Sequence, residues 1–184
     1  MSPSKRVDPR VSIFSKVLIS SSQFLHRTHA LNISQTGLFL ENIPFVLEVD
    51  VLDLIVEIPE IPYLGEMQAP ELYKKVALGF QNWAFPCHVT IARKIEDFKN
   101  VDQIFKLGVG ARFLSIDNLV KEKLSQFILD MIKNIHVLLR LIQQARPQER
   151  DLILQLAQGL GYPPGLKYSE LHLRVLKDYQ ALNW

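Results

Sequence analysis

Sulfur and net charge are both scarce in this chain: one cysteine, Cys87, stands among 184 residues, and 21 lysines and arginines nearly cancel 19 acids to leave a formal charge of +2. A single thiol excludes an internal disulfide and gives a zinc site no second sulfur. The near-balance of charge excludes a protein that coats nucleic acid, so any anion must be held by local placement of basic residues. Long apolar runs are missing too, because "FVLEVDVLDLIVEIP" and "FILDMIKNIHVLLRLI" are interrupted by charges and fall short of the roughly 18 to 20 apolar positions of a spanning helix. The run "VSIFSKVLISSS" near the start is broken by Lys16, with no small-residue cleavage site after it. The expectation is therefore a cytoplasmic chain without membrane insertion.

Catalytic patterns are absent as well. There is no nucleophile–base pair, no phosphate-cradling GxxxxGK loop and no acidic metal cluster, so neither an enzyme nor a cofactor is expected. His26 and His29 in "HRTH" lie three apart, which on a strand sends them to opposite faces and away from one metal ion. The carboxylates of "EVDVLD" read as the polar side of an alternating strand. Arg93 and Arg112, on predicted strands, could touch a ligand, although a solvated or salt-bridged face is the ordinary role for such residues.

What is present is a core-forming composition, 48% hydrophobic, with two textures. Alternation in "VSIFSKVLI" and "THALNISQTGLFLEN", then from Val49 to Ile58, and again in "CHVTIARKIED" and "LGVGARFLSI" predicts at least five strands within residues 1–116. Such a pattern belongs to a small antiparallel barrel or sandwich. Residues 60–86, with Pro62, Pro70, Gly65 and Gly79, read as a long connection holding one helical turn.

From Asp117, a helix-capping residue, apolar positions recur at three and four up to Ala145, and Pro147 ends the helix. Val120, Leu124, Phe127, Met131, Leu138, Leu141 and Ala145 form one seam; Ile128, Ile132, Ile135, Leu139 and Ile142 form another. Two seams exceed the single stripe of a surface helix, which points to cover from further helices or from a second copy in a homo-oligomer through the helix 117–145. "RPQERDLILQLAQGLGY" and "YSELHLRVLKDYQAL", the latter capped by Ser169, supply two more helices. The chain thus divides into a β domain, 1–116, and a helical extension, 117–184.

Two polar stretches attach to the β domain. In "SKRVDPR", Arg6 and Arg10 lie four apart just before the first strand. They read either as a solvated basic segment or as two rigid donor forks suited to phosphate oxygens and guanine edges. In "NISQTG", Asn32 and Ser34 lie two apart, on one face of an extended segment, and Gly37 permits a sharp turn and the close approach of a ligand. Alone, that stretch reads equally as an ordinary polar turn between strands.

Taken together, "RVDPR" followed 22 residues later by "NISQTG", in a strand-rich region ending in "VGARF", resembles the PilZ family. That family's signature pairs two arginines separated by three residues with Asp or Asn, any residue, Ser, two of any kind, and Gly. Arg6, Arg10, Asn32, Ser34 and Gly37 match it, and Lys5 stands where many members carry a further arginine, keeping the charge without the planar stacking surface. The resemblance covers about residues 5–116; the long 60–86 segment and the helical extension depart from it. It implies a small β-barrel that binds cyclic di-GMP through Lys5, Arg6, Arg10, Asn32, Ser34 and Gly37. The arginine segment would become ordered on the ligand, and the signal would pass to a protein partner. The alternative it leaves is a ligand-independent interaction or oligomerisation module.

Overall fold

A computed structural model of the chain describes residues 8–20, 24–41, 43, 50–67, 69–97 and 106–182. Six strands carry the alternating segments: β1 (Val11–Ser20), β2 (Leu25–Ser34), β3 (Gly37–Leu40), β4 (Val51–Pro59), β5 (Asn82–Asp97) and β6 (Lys106–Ser115). They close into an antiparallel barrel in the order β1-β2-β3-β6-β5-β4. The apolar half of each alternation fills its interior. Val11, Val17, Ile19, Ala30, Ile33, Leu38, Leu40, Leu54, Val56, Phe85, Val89 and Val109 are buried there. Each of the six strands thereby has a neighbour on both sides over part of its length.

The connection between β4 and β5 holds more order than its sequence suggests. A ten-residue helix, α1 (Ala69–Leu78), replaces the expected single turn, and β5 begins at Asn82 instead of Cys87. Pro86 therefore lies within a strand. It is tolerated because β6 ends at Ser115 opposite His88. Ahead of that point β5 has only β4 as a neighbour, so a missing N–H at the other edge breaks no ladder.

The helical extension comprises α2 (Asn118–Gln144), α3 (Arg150–Gly159) and α4 (Tyr168–Leu182). Asp117 caps α2 as its sequence predicts, its carboxylate accepting from the Leu119 N–H at 2.8 Å. At α4 the cap differs from expectation: the helix starts at Tyr168, and Glu170 reaches back to accept from the Lys167 N–H at 3.1 Å, so Ser169 lies inside the first turn. Among the described residues no helix is long and apolar enough to cross a membrane.

Both seams of α2 are covered within the chain. Leu124, Phe127, Ile128, Met131, Ile135, Leu138, Leu139 and Ile142 are buried, with α3, α4, β1 and the 3-10 turn at Leu64–Glu66 packed against the helix. The surplus that pointed to a second copy is met by the protein's own segments, and self-association loses that support.

Asn134 sits among these apolar residues, completely buried. Its Oδ1 accepts from the Leu64 N–H at 2.8 Å and its Nδ2 donates to the Pro62 carbonyl at 3.0 Å. One side chain thereby satisfies the irregular backbone that links β4 to α1. Asn134→Ala should destabilise the fold by about 1–3 kcal/mol, the cost of leaving buried backbone groups unpaired. Urea unfolding checks this; an unchanged midpoint would show that water replaces the amide.

Candidate functional site

Register places the sequence-predicted polar residues on one outer face of the barrel. Val11, Ile33, Leu38 and Ala111 point inward, so their neighbours point out. Ser12 lies opposite Asn32, Asn32 opposite Phe39, Phe39 opposite Gly110 and Gly110 opposite Arg93. The adjacent row runs Ser34, Gly37, Arg112, Thr90. Arg10, exposed, leads directly into Val11, whose partner is Ile33, and so leaves the sheet beside Ser34. Lys5 and Arg6 lie outside the described residues.

Three residues of the motif do different work in this geometry. Asn32 is partly buried on the face, and its Oδ1 is buried with no hydrogen-bond partner among the described residues. An orphaned acceptor of this kind is costly and is poised to accept from a ligand N–H or a bridging water. Ser34 is buried instead of offered outward, with 1% exposure. Its Oγ donates to the Gly37 carbonyl at 3.2 Å and lies 3.3 Å from Thr36 Oγ1, so the hydroxyl closes the Ser34–Gly37 turn.

Gly37 also departs from expectation. It is not among the described glycines with positive φ. A Cβ there would collide with the Ala111 carbonyl oxygen on β6, so the glycine is required by the close approach of two strands.

The helical extension reaches the same face. Ser12 Oγ donates to Asp178 Oδ1 at 2.8 Å, and Tyr162 Oη donates to Asp178 Oδ2 at 2.9 Å. Burial raises the Asp178 carboxyl, against the opposing hydrogen bonds from Ser12 and Tyr162 and the nearby Lys177 and Arg174. Tyr162 is pushed up as well, by burial first and then by the Asp178 charge, and remains a donor. Its position is set by the turn after α3, where Gly161 (φ 88°) and Tyr162 donate to Gln158 and Ala157 in the manner of a Schellman cap.

The other residues singled out in the sequence divide in two. Burial pushes the Cys87 thiol up to about 12, which suits an inert core residue. His29 stacks on Phe14 at 4.2 Å and meets Glu41 at 3.5 Å. Among the described residues no cluster of His, Cys, Asp or Glu suits a metal ion. Arg93 and Arg112, by contrast, are exposed. Neither has an ion pair among the described residues, against the salt-bridged reading. Alternation gives their face but not their neighbours, which is why the sequence left them apart from Asn32.

No protein-family model matches the chain, and no curated protein matches it. Solved structures that superpose on it include the Bacillus subtilis inhibitor of motility MotI/DgrA, 17% identical, with a TM-score of 0.48 over 79% of this chain and 59% of that one. A second is the PilZ domain of YcgR from Escherichia coli with c-di-GMP, at 15% identity and a TM-score of 0.45, covering 68% of this chain and 89% of that one. The K. pneumonia MrkH–c-di-GMP complex is similar at 14% and 0.49, over 72% and 54%. The chain thus spans little more than half the length of MotI/DgrA and MrkH.

Two measurements follow from this geometry. Gly37→Val forces a branched side chain into the β3–β6 contact and should cost about 1–3 kcal/mol or more by overpacking, read as a lower thermal midpoint; an unchanged midpoint would contradict the close approach. Asp178 titrates above its ordinary 3.8 in the fold, so the stability it contributes is complete below that value and is lost as pH rises through the folded value. Asp178→Asn, which cannot ionise, should gain stability relative to the parent as pH rises across that window. Parallel urea midpoints for the two proteins would contradict it.

Proposed function

We propose that the protein is a PilZ-type receptor for cyclic di-GMP, and not an enzyme, with Arg6, Arg10, Asn32, Ser34 and Gly37 at its binding face and Lys5 adding charge beside them. The observation that carries this reading is the convergence on one outer face of Arg10, the orphaned Asn32 acceptor and the Ser34–Gly37 turn. Each group has a task. Arg6 and Arg10 supply charge-assisted donor forks for phosphate oxygens or guanine edges, Asn32 supplies an acceptor, and Ser34 with Gly37 holds the turn that fixes Asn32 in place.

Ordering the arginine segment costs about 1–2 kcal/mol of backbone entropy per residue, which the ionic hydrogen bonds offset when ligand is present. The segment then acts as a population switch. Its ordered form, next to Ser12 and hence to Asp178 on α4, is the surface a protein partner would read. One observation favours a second reading, a ligand-independent interaction module: Ser34 and Gly37 have complete structural roles in the turn and the strand contact.

Isothermal titration with cyclic di-GMP separates the two. The receptor reading expects saturable binding by the parent and a roughly ten- to hundredfold loss in Arg10→Ala, the cost of a charge-assisted hydrogen bond, in a variant that still unfolds cooperatively. No heat with the parent protein would overturn the receptor reading and leave the interaction module.

A further inference from the structure

Arg93 and Arg112 occupy the far side of the same two rows. Outward positions on β6 are Gly108, Gly110 and Arg112, and two of them lack side chains. The space is taken by neighbours: the Phe39 ring lies over Gly108, and the Arg93 side chain lies across Gly110, with Cγ 2.9 Å and Nε 3.1 Å from where a Cβ would stand. Because β6 lies between β5 and β3, Arg93 is laid toward Phe39 and Asn32.

Arg112 is cross-strand partner to both Gly37 and Thr90, while Arg93 is partner to Gly110. The two arginines are therefore diagonal neighbours on one face, about 7–8 Å apart at the backbone. Two exposed arginine side chains on neighbouring strands, with no carboxylate ion-paired to either among the described residues, form a local cationic shelf in a chain whose net charge is only +2.

We propose that Arg93 and Arg112 form a second guanidinium pair that receives the side of the cyclic dinucleotide remote from Arg10; this rests on the receptor reading above. Strands β1 and β6 are three spacings apart in the ring, about 14 Å, and long guanidinium side chains narrow that gap from both ends. A ligand carrying two phosphodiesters and two guanines meets donors at both edges. Asn32 and the Phe39 ring form the floor between them. The forks suit a pair of acceptors, either the non-bridging oxygens of one phosphodiester or the O6/N7 edge of one guanine.

The test titrates the parent, Arg10→Ala, Arg93→Ala, Arg112→Ala and Lys121→Ala with cyclic di-GMP, and repeats the series with cyclic di-AMP, which keeps the phosphates and lacks the guanine O6. Arg93→Ala and Arg112→Ala should each weaken cyclic di-GMP binding roughly ten- to hundredfold. Lys121→Ala, which removes one positive charge from α2, should stay within about twofold of the parent. A loss shared with cyclic di-AMP assigns the phosphate, and a loss confined to cyclic di-GMP assigns the base edge; both support the shelf. If the parent and both shelf variants bind alike while Arg10→Ala fails, the shelf is overturned and the receptor reading stands. If the parent does not bind cyclic di-GMP, both are overturned.

Discussion

The close approach of β3 to β6 is the constraint on which both the barrel and the proposed binding face depend. β3 has only four residues, Gly37–Leu40, and joins β2 on one side to β6 on the other. Through it the first hairpin meets the long β5–β6 hairpin, β6 beginning more than sixty residues after β3 ends. Gly37 lets the two backbones meet at Ala111, and the Ser34 hydroxyl fixes the turn that delivers Gly37 there. The same contact aligns Ser34 with Arg112 and Asn32 with Arg93. A motif that reads as a ligand signature is therefore also the element that holds the barrel closed on this side.

The helical extension adds a second constraint at the opposite edge of that face. α2 gathers α3, α4, β1 and the 3-10 turn after β4 around its two apolar seams. Asp178 then joins α4 to Ser12, the cross-strand neighbour of Asn32. A partly buried carboxylate held by two hydroxyl donors is satisfied as a hydrogen-bond acceptor but pays desolvation as an anion. The contact between extension and barrel thus carries an ionisable group one residue position away from the orphaned Asn32 acceptor.

Much of this was legible in the sequence because it depends on period and punctuation. Alternation marked the strands, including the long run that became β4, and Asp117 and Pro147 marked the bounds of α2. Pro86 obscured the start of β5, since its tolerance depends on where β6 stops and not on any local signal. Asn134 was hidden in an apolar seam because its partners, Leu64 and Pro62, lie about seventy residues away. The polar signature was legible as residues, but its geometry was not: spacing placed Asn32 and Ser34 on one face, whereas the pairing of β2, β3, β6 and β5 shows that Ser34 is buried in the turn it closes and that Arg112 and Arg93 lie further along the two rows.

The proposed resting place of a cyclic dinucleotide is one outer face of the barrel, bounded by Arg10 and by Arg93 with Arg112. Backbone amide NMR of the nitrogen-labelled protein during titration with cyclic di-GMP tests it most directly. Saturable shifts are expected to concentrate at Arg10, Ser12, Asn32, Ser34, Phe39, Gly110 and Arg112, with smaller ones carried to Asp178. Shifts centred elsewhere, such as on the cavity of about 650 Å³ lined by Glu60, Met67, Glu71, Lys74 and Lys75 beside α1, or no shifts at saturating ligand, would contradict it.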